Sequence, residues 1–152
     1  MRSASTLVAA ALAVGLSVAA CGGGSSGSSG SSTDVPEVVS GQPSTWTDVT
    51  VSTPTASTDV PASARKDLAP LLATRVFDHP EALSVYGLDH PQATLTYKGR
   101  TGATVAVDIG QPNFDRHFLY MQRRGSPVVY LVPADAFRPL LAMVGIDIAP
   151  PA

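Results

Sequence analysis

The sequence predicts an α+β domain in which an antiparallel four- to five-stranded meander packs against two or three helices. Three observations carry that expectation. From Ala93 to Val132, strand-length stretches alternate apolar with polar residues and are separated by turn sequences. Before and after them, apolar residues recur at helical spacing, with Pro near the starts and Gly past an end. Finally, 44% of the 152 residues are apolar, which suits one modest core.

The folded part is expected over 46–145, a single domain, and its elements follow in order. Val49 and Val51 alternate with polar residues until Pro54, which reads as a short strand. Thr58 or Asp59 then caps a helix in which Ala64, Leu68, Leu71, Leu72 and Arg75 share a face, with a kink or restart at Pro70. Pro80 opens a second, short helix that Gly87 ends. Ala93, Leu95 and Tyr97 form one strand, and residues 98–102 turn it into another bearing Ala103, Val105, Val107 and Ile109. A longer connection leads to strands at 117–122 and 128–132, joined by the turn at 123–126. Consecutive strands with short connections pair antiparallel, and one face then needs covering. A terminal helix from Ala134 to Val144, with Phe137, Leu140, Leu141 and Val144 as its apolar stripe, is expected to cover it. Residues 146–152 read as a proline-terminated tail.

The N-terminus carries a separate message. Arg2 precedes the uncharged, mostly apolar run from Leu7 to Ala20, which falls short of the about 20 residues that cross a bilayer and suits an export signal instead. The run ends at Val18, Ala19, Ala20 and the chain's single cysteine, Cys21. Val18-Ala19-Ala20-Cys21 resembles a bacterial lipobox, whose cysteine thiol is alkylated with diacylglycerol and becomes the mature N-terminus. Residues 1–20 are thus expected to be a lipoprotein signal peptide. Residues 21–45 follow as the lipidated cysteine and a Gly/Ser/Pro tether, which at roughly 24 residues would have a root-mean-square span of about 27 Å. More than one acyl chain gives stable membrane attachment, where one gives only marginal binding. The glycines at 22, 24 and 27 satisfy a dinucleotide fingerprint, and residues 23–27 a nucleophile elbow, but neither has the preceding strand that such motifs need.

Several segments of the folded part resemble a bacterial envelope domain of unknown function. They are TWTDVTVSTP, ARKDLAPLLATRVFD, YGLDHPQATLTY, VDIGQPN, FLYMQRRGSPVVYLV and ADAFRPLL. The matching motif residues are Tyr86, Gly87, Leu88, Asp89 and Pro91, then Ile109-Gly110, Tyr120 with Gly125, and Val129-Tyr130-Leu131-Val132. The resemblance spans Trp46 to Leu141 and implies association with auxiliary proteins of gliding-motility-type ABC transporters. It implies no catalytic residues. The first motif also reads physically as a helix-to-strand corner: a left-handed Gly87, Leu88 packing back, and Pro91 preventing continuation.

Each of the three histidines, His79, His90 and His117, lies within two residues of an aspartate, a combination that could serve a metal ion. Their spacing is not that of a metal-binding helix, and all fall at element ends where Asp and Pro favour turns, so they remain weak candidates. No cofactor is expected. The aromatic residues alternate along the predicted strands and belong to core packing, with an exposed Tyr/Arg sheet face as the binding alternative. A formal net charge of −2 lacks the basic footprint of nucleic-acid binding. The expectation is a lipid-anchored, extracytoplasmic protein at the outer face of the cytoplasmic membrane, a non-enzymatic interaction or accessory module with an envelope protein partner. The alternative is a small-molecule or ion-binding lipoprotein associated with a transporter.

Overall fold

Alternation with period two puts Leu95, Tyr97, Val107, Ile109, Leu119, Met121 and Val132 on one face of neighbouring strands, and that face is the core of the protein. The computed structural model describes residues 35–149, which holds nine strands and two short α-helices. In chain order these are β1 (Glu37–Val39), β2 (Trp46–Ser52), β3 (Ser57–Asp59), α1 (Ala62–Arg65), β4 (Leu71–Leu72) and β5 (Arg75–Phe77). They continue as β6 (Ala93–Gly99), β7 (Thr104–Pro112), β8 (Phe118–Arg123), β9 (Val129–Pro133) and α2 (Arg138–Met143). Single turns of 3-10 helix lie at Pro43–Thr45 and Leu83–Tyr86.

The expected meander is present as β6-β7-β8-β9, paired antiparallel throughout. The sheet is larger than the four to five strands predicted: its order is β3-β2-β6-β7-β8-β9-β5, seven strands in all, and β1 pairs with β4 in a separate two-stranded ribbon. The helical layer is correspondingly smaller. The helix expected through Arg75 stops at Arg65. Pro70 lacks an amide to donate and biases Ala69 away from helical backbone, and the apolar residues beyond it reach the core by another route. Leu68 and Leu71 are buried from a turn and from β4, while β5 adds a strand to β9 through Arg75↔Leu131 and Phe77↔Val129. The predicted stripe of the terminal helix is correct in its residues, because Phe137, Leu140, Leu141 and Val144 are all buried, although the helix itself is shorter.

Both domain boundaries also move outward. The tether predicted over 21–45 gives way to ordered backbone well before Trp46, since Val38 and Val39 of β1 are buried in the core and Pro36 O accepts the Ala73 amide at 2.8 Å. The tail expected from residue 146 folds back, with Ile148 buried and Ile146 packed against the core. Two valines and two isoleucines within short polar stretches carry too little periodicity to be read as elements, yet each removes apolar surface from water.

Tyr97 lies at the centre of the core. Its ring meets Trp46 edge-on at 5.5 Å between centroids, and its hydroxyl donates to Leu68 O at 3.1 Å. Burial pushes its pKa well above the ordinary tyrosine value. An unfolded chain ionises this phenol near pH 10, by about its reference value, whereas the fold keeps it neutral, so its contribution is complete below that pH and lost as pH rises beyond it. We expect stability to fall above about pH 10 in the parent protein and to fall less steeply in Tyr97→Phe, read from urea midpoints across alkaline pH. Equal slopes in the two proteins would contradict this account of Tyr97.

Candidate functional site

The motif residues meet on the opposite face of the sheet. After the 3-10 turn at Leu83–Tyr86, Gly87 adopts a left-handed backbone with φ of 67°, the Leu88 amide donates to Leu83 O at 2.9 Å and the Gly87 amide to Ser84 O at 3.2 Å. This pair of bonds is the Schellman arrangement, completed by apolar contact between the residues at its two ends. Leu88 supplies that contact and, with Tyr86 and Val129, forms a second buried cluster bordered by Phe77, Leu83 and Tyr120. The Tyr86 and Tyr120 rings lie edge-on at 5.0 Å, and the Tyr86 hydroxyl accepts the Glu81 amide at 3.2 Å.

Gly110 of β7 is where this corner touches the sheet. A Cβ there would fall on the Tyr86 carbonyl oxygen and lie 3.0 Å from Leu88 Cγ, so the backbone approach requires glycine. The corner's exit is tied to the same place, because the Gln92 amide donates to Ile109 O at 2.9 Å and its side chain donates to Gly110 O. Tyr86, Gly87, Leu88, Gly110, Tyr120 and Val129, separate in sequence, therefore build one packed unit, while the Ile109 side chain points into the main core.

The rest of this face, over β2, β6 and the near half of β7, has no apolar cover among the described residues. Thr50, Ser52, Thr94, Thr96, Ala106 and Asp108 lie on it partly buried by their neighbours on the sheet. Asp108 is braced there: Arg124 donates to it through Nε at 3.0 Å and Nη2 at 2.7 Å, and Thr94 Oγ1 donates at 2.7 Å. The carboxylate in turn raises the pKa of the Arg124 guanidinium. Sequence reasoning missed this cluster, since alternation puts Asp108 on the polar face but only the hairpin register brings Thr94 and Arg124 to it.

Where this open face meets the corner there is a groove of ≈ 420 Å³ lined by Ser52, Thr53, Thr94, Asp89, His90 and Pro91 among others. Asp89 Oδ2 lies 3.1 Å from His90 Nδ1, and Oδ1 accepts the His90 amide at 3.0 Å. The side-chain bond from His90 is the main cause of a lowered Asp89 pKa. His79, His90 and His117 are all exposed and lie in three different connections. Among the described residues no group of three His, Cys, Asp or Glu side chains is placed to hold a metal ion. Val18, Ala19, Ala20 and Cys21 lie outside the described residues; among the described ones, no helix is long and apolar enough to cross a membrane.

Sheet, corner and groove define a small antiparallel β module in which Tyr86, Leu88 and Gly110 act in packing. The chain belongs to the family described as Domain of unknown function (DUF4340), which matches residues 55–143 and so includes the corner, the meander and α2. No curated protein and no solved structure matches the chain.

Gly110→Ala is expected to destabilise the protein by about 1–3 kcal/mol or more, as overpacking does where backbone must shift, measured by denaturant unfolding. A cost below about 0.5 kcal/mol, the range of ordinary surface substitutions, would mean that the corner does not press on β7.

Proposed function

We propose that the protein is a membrane-anchored extracytoplasmic lipoprotein whose DUF4340 domain is a non-enzymatic interaction or accessory module of the cell envelope. The anchor rests on the sequence alone, on the basic start, the short apolar run and small residues leading into Cys21. The module reading is supported above all by one observation: the motif residues are occupied in holding the corner to Gly110, which leaves a broad polar sheet face beside them open to solvent. Hydroxyls of Thr50, Ser52, Thr94 and Thr96 on a stiff sheet suit a polar, hydrogen-bonded contact with an envelope protein. Such a partner could belong to an ABC transporter.

A second reading, a small-molecule or ion-binding lipoprotein working with such a transporter, is favoured by the groove beside Asp89 and His90. A concave site with convergent polar groups is the ordinary form of a ligand site. Its carboxylate and hydroxyls suit a polar or cationic ligand.

Expressed in a bacterium, the parent chain should fractionate with membranes and give a mature N-terminus at a diacylated Cys21 by mass spectrometry. Cys21→Ala should release it into the soluble fraction. Membrane recovery of the alanine variant at the parental level would overturn the anchor.

A further inference from the structure

Phe114 stands at the tip of the connection between β7 and β8 and is 98% exposed. The loop that carries it is not loose. The Asn113 amide donates to Phe118 O at 2.9 Å, and Asn113 Oδ1 accepts the Phe118 amide at 3.1 Å. The Arg116 amide donates to Asn113 O at 3.0 Å and the His117 amide to Asp115 Oδ1 at 3.0 Å. From below, Arg138 holds the loop to the C-terminal segment, donating from Nη2 to Arg116 O at 3.0 Å and from Nη1 to Ile148 O. Exposed aromatic rings are ordinary when they lie along a surface with part of the ring covered. A ring with almost no protein contact, held out by a braced turn, is placed to be covered by something else.

The register shows where the tethered end of the chain enters. Phe118 pairs with Pro133 and Tyr120 with Leu131, and the Thr74 amide donates to Leu131 O at 2.8 Å. The preceding Ala73 binds Pro36. Val35 and Pro36 therefore lie toward the end of the sheet from which the Phe114 loop projects. Thirteen residues, 22–34, separate Cys21 from Val35, and fully extended they reach no farther than about 45 Å. If Cys21 is anchored, this end of the domain stays within about that distance of the lipid surface.

We propose that Phe114 is a membrane-contact residue: the loop at 113–117 inserts its phenyl ring among the lipids at the interface and orients the domain with this end of the sheet toward the bilayer. The inference rests on the anchored reading above. Asp115 and Arg116, which follow the ring in the chain, carry opposite charges, so contact is driven by the apolar ring and is insensitive to the charge of the headgroups. Aromatic side chains suit this interfacial depth. The open polar face of β2 and β6 then stands upright from the membrane, available to a partner in the same envelope.

Phe114→Trp in the full-length lipidated protein tests this directly. It is reconstituted into phosphatidylcholine vesicles with brominated acyl chains, with and without phosphatidylglycerol, and floated on a density gradient. Trp46, which is buried in the core, supplies a constant background. Thr101→Trp, in the turn at the opposite end of β7, is the control. The expected result is flotation of both variants, with blue-shifted emission and bromine quenching at position 114 alone, equal in the two lipid mixtures. Flotation without quenching at 114 overturns the proposal and leaves the anchor standing. Equal quenching at 101 and 114 overturns the orientation. Failure of the parent chain to float overturns the anchor, and this proposal with it.

Discussion

On its outward side Gly110 has room for a hydrogen and nothing more, because the Tyr86 carbonyl and the Leu88 side chain already occupy the space a Cβ would take. That single close approach lets one strand serve two buried surfaces. Ile109, the residue before it, points into the main core, and Gly110 receives the corner on the reverse. Strand alternation makes this division unavoidable, and a side chain at position 110 would push the Tyr86–Leu88 turn off the sheet. Once the turn is seated, Tyr86 closes on Tyr120 and Phe77, and Leu88 on Val129, which brings β5, β8 and β9 into the same cluster.

The division of the outer face follows from the same contact. Over β8, β9 and the far half of β7 it is covered by the corner, while over β2, β6 and the near half of β7 it stays polar and uncovered. Thr94 and Asp108 mark the border, with Arg124 forked onto the carboxylate across the hairpin. With the carboxylate largely buried and the guanidinium exposed, the pair gives this face a fixed polar relief. The groove at Asp89 and His90 lies on the same border, so the corner that packs on Gly110 also shapes one wall of the groove.

Much of this was legible in the sequence where short-range rules apply. Gly87, Leu88 and Pro91 read as a corner because a left-handed glycine, an apolar residue and a helix-stopping proline each have one local meaning, and the meander read correctly because Ala93 to Val132 alternates with period two. The errors lie where tertiary contact outweighs local pattern. Leu68, Leu71 and Leu72 sit at helical spacing, yet Pro70 interrupts them: Leu68 and Leu71 reach burial through a turn and a short strand, while Leu72 points to solvent. Strands as short as β1, β4 and β5 have no period to detect; each exists because a partner across the fold completes its hydrogen bonds. The outer site was legible only in part. The Tyr86 segment was identified, but its partner Gly110 and the Asp108–Arg124 fork depend on a register that no single segment encodes.

The corner and everything packed around it depend on its seating on β7, and nuclear Overhauser contacts of the Gly110 α-protons observe that seating without altering a residue. In isotope-edited spectra these protons should give strong cross-peaks to the Leu88 methyls, while the Tyr86 ring protons contact those of Tyr120. Gly110 α-protons with no contact to Leu88, together with Tyr86 and Tyr120 rings that share no cross-peak, would contradict it.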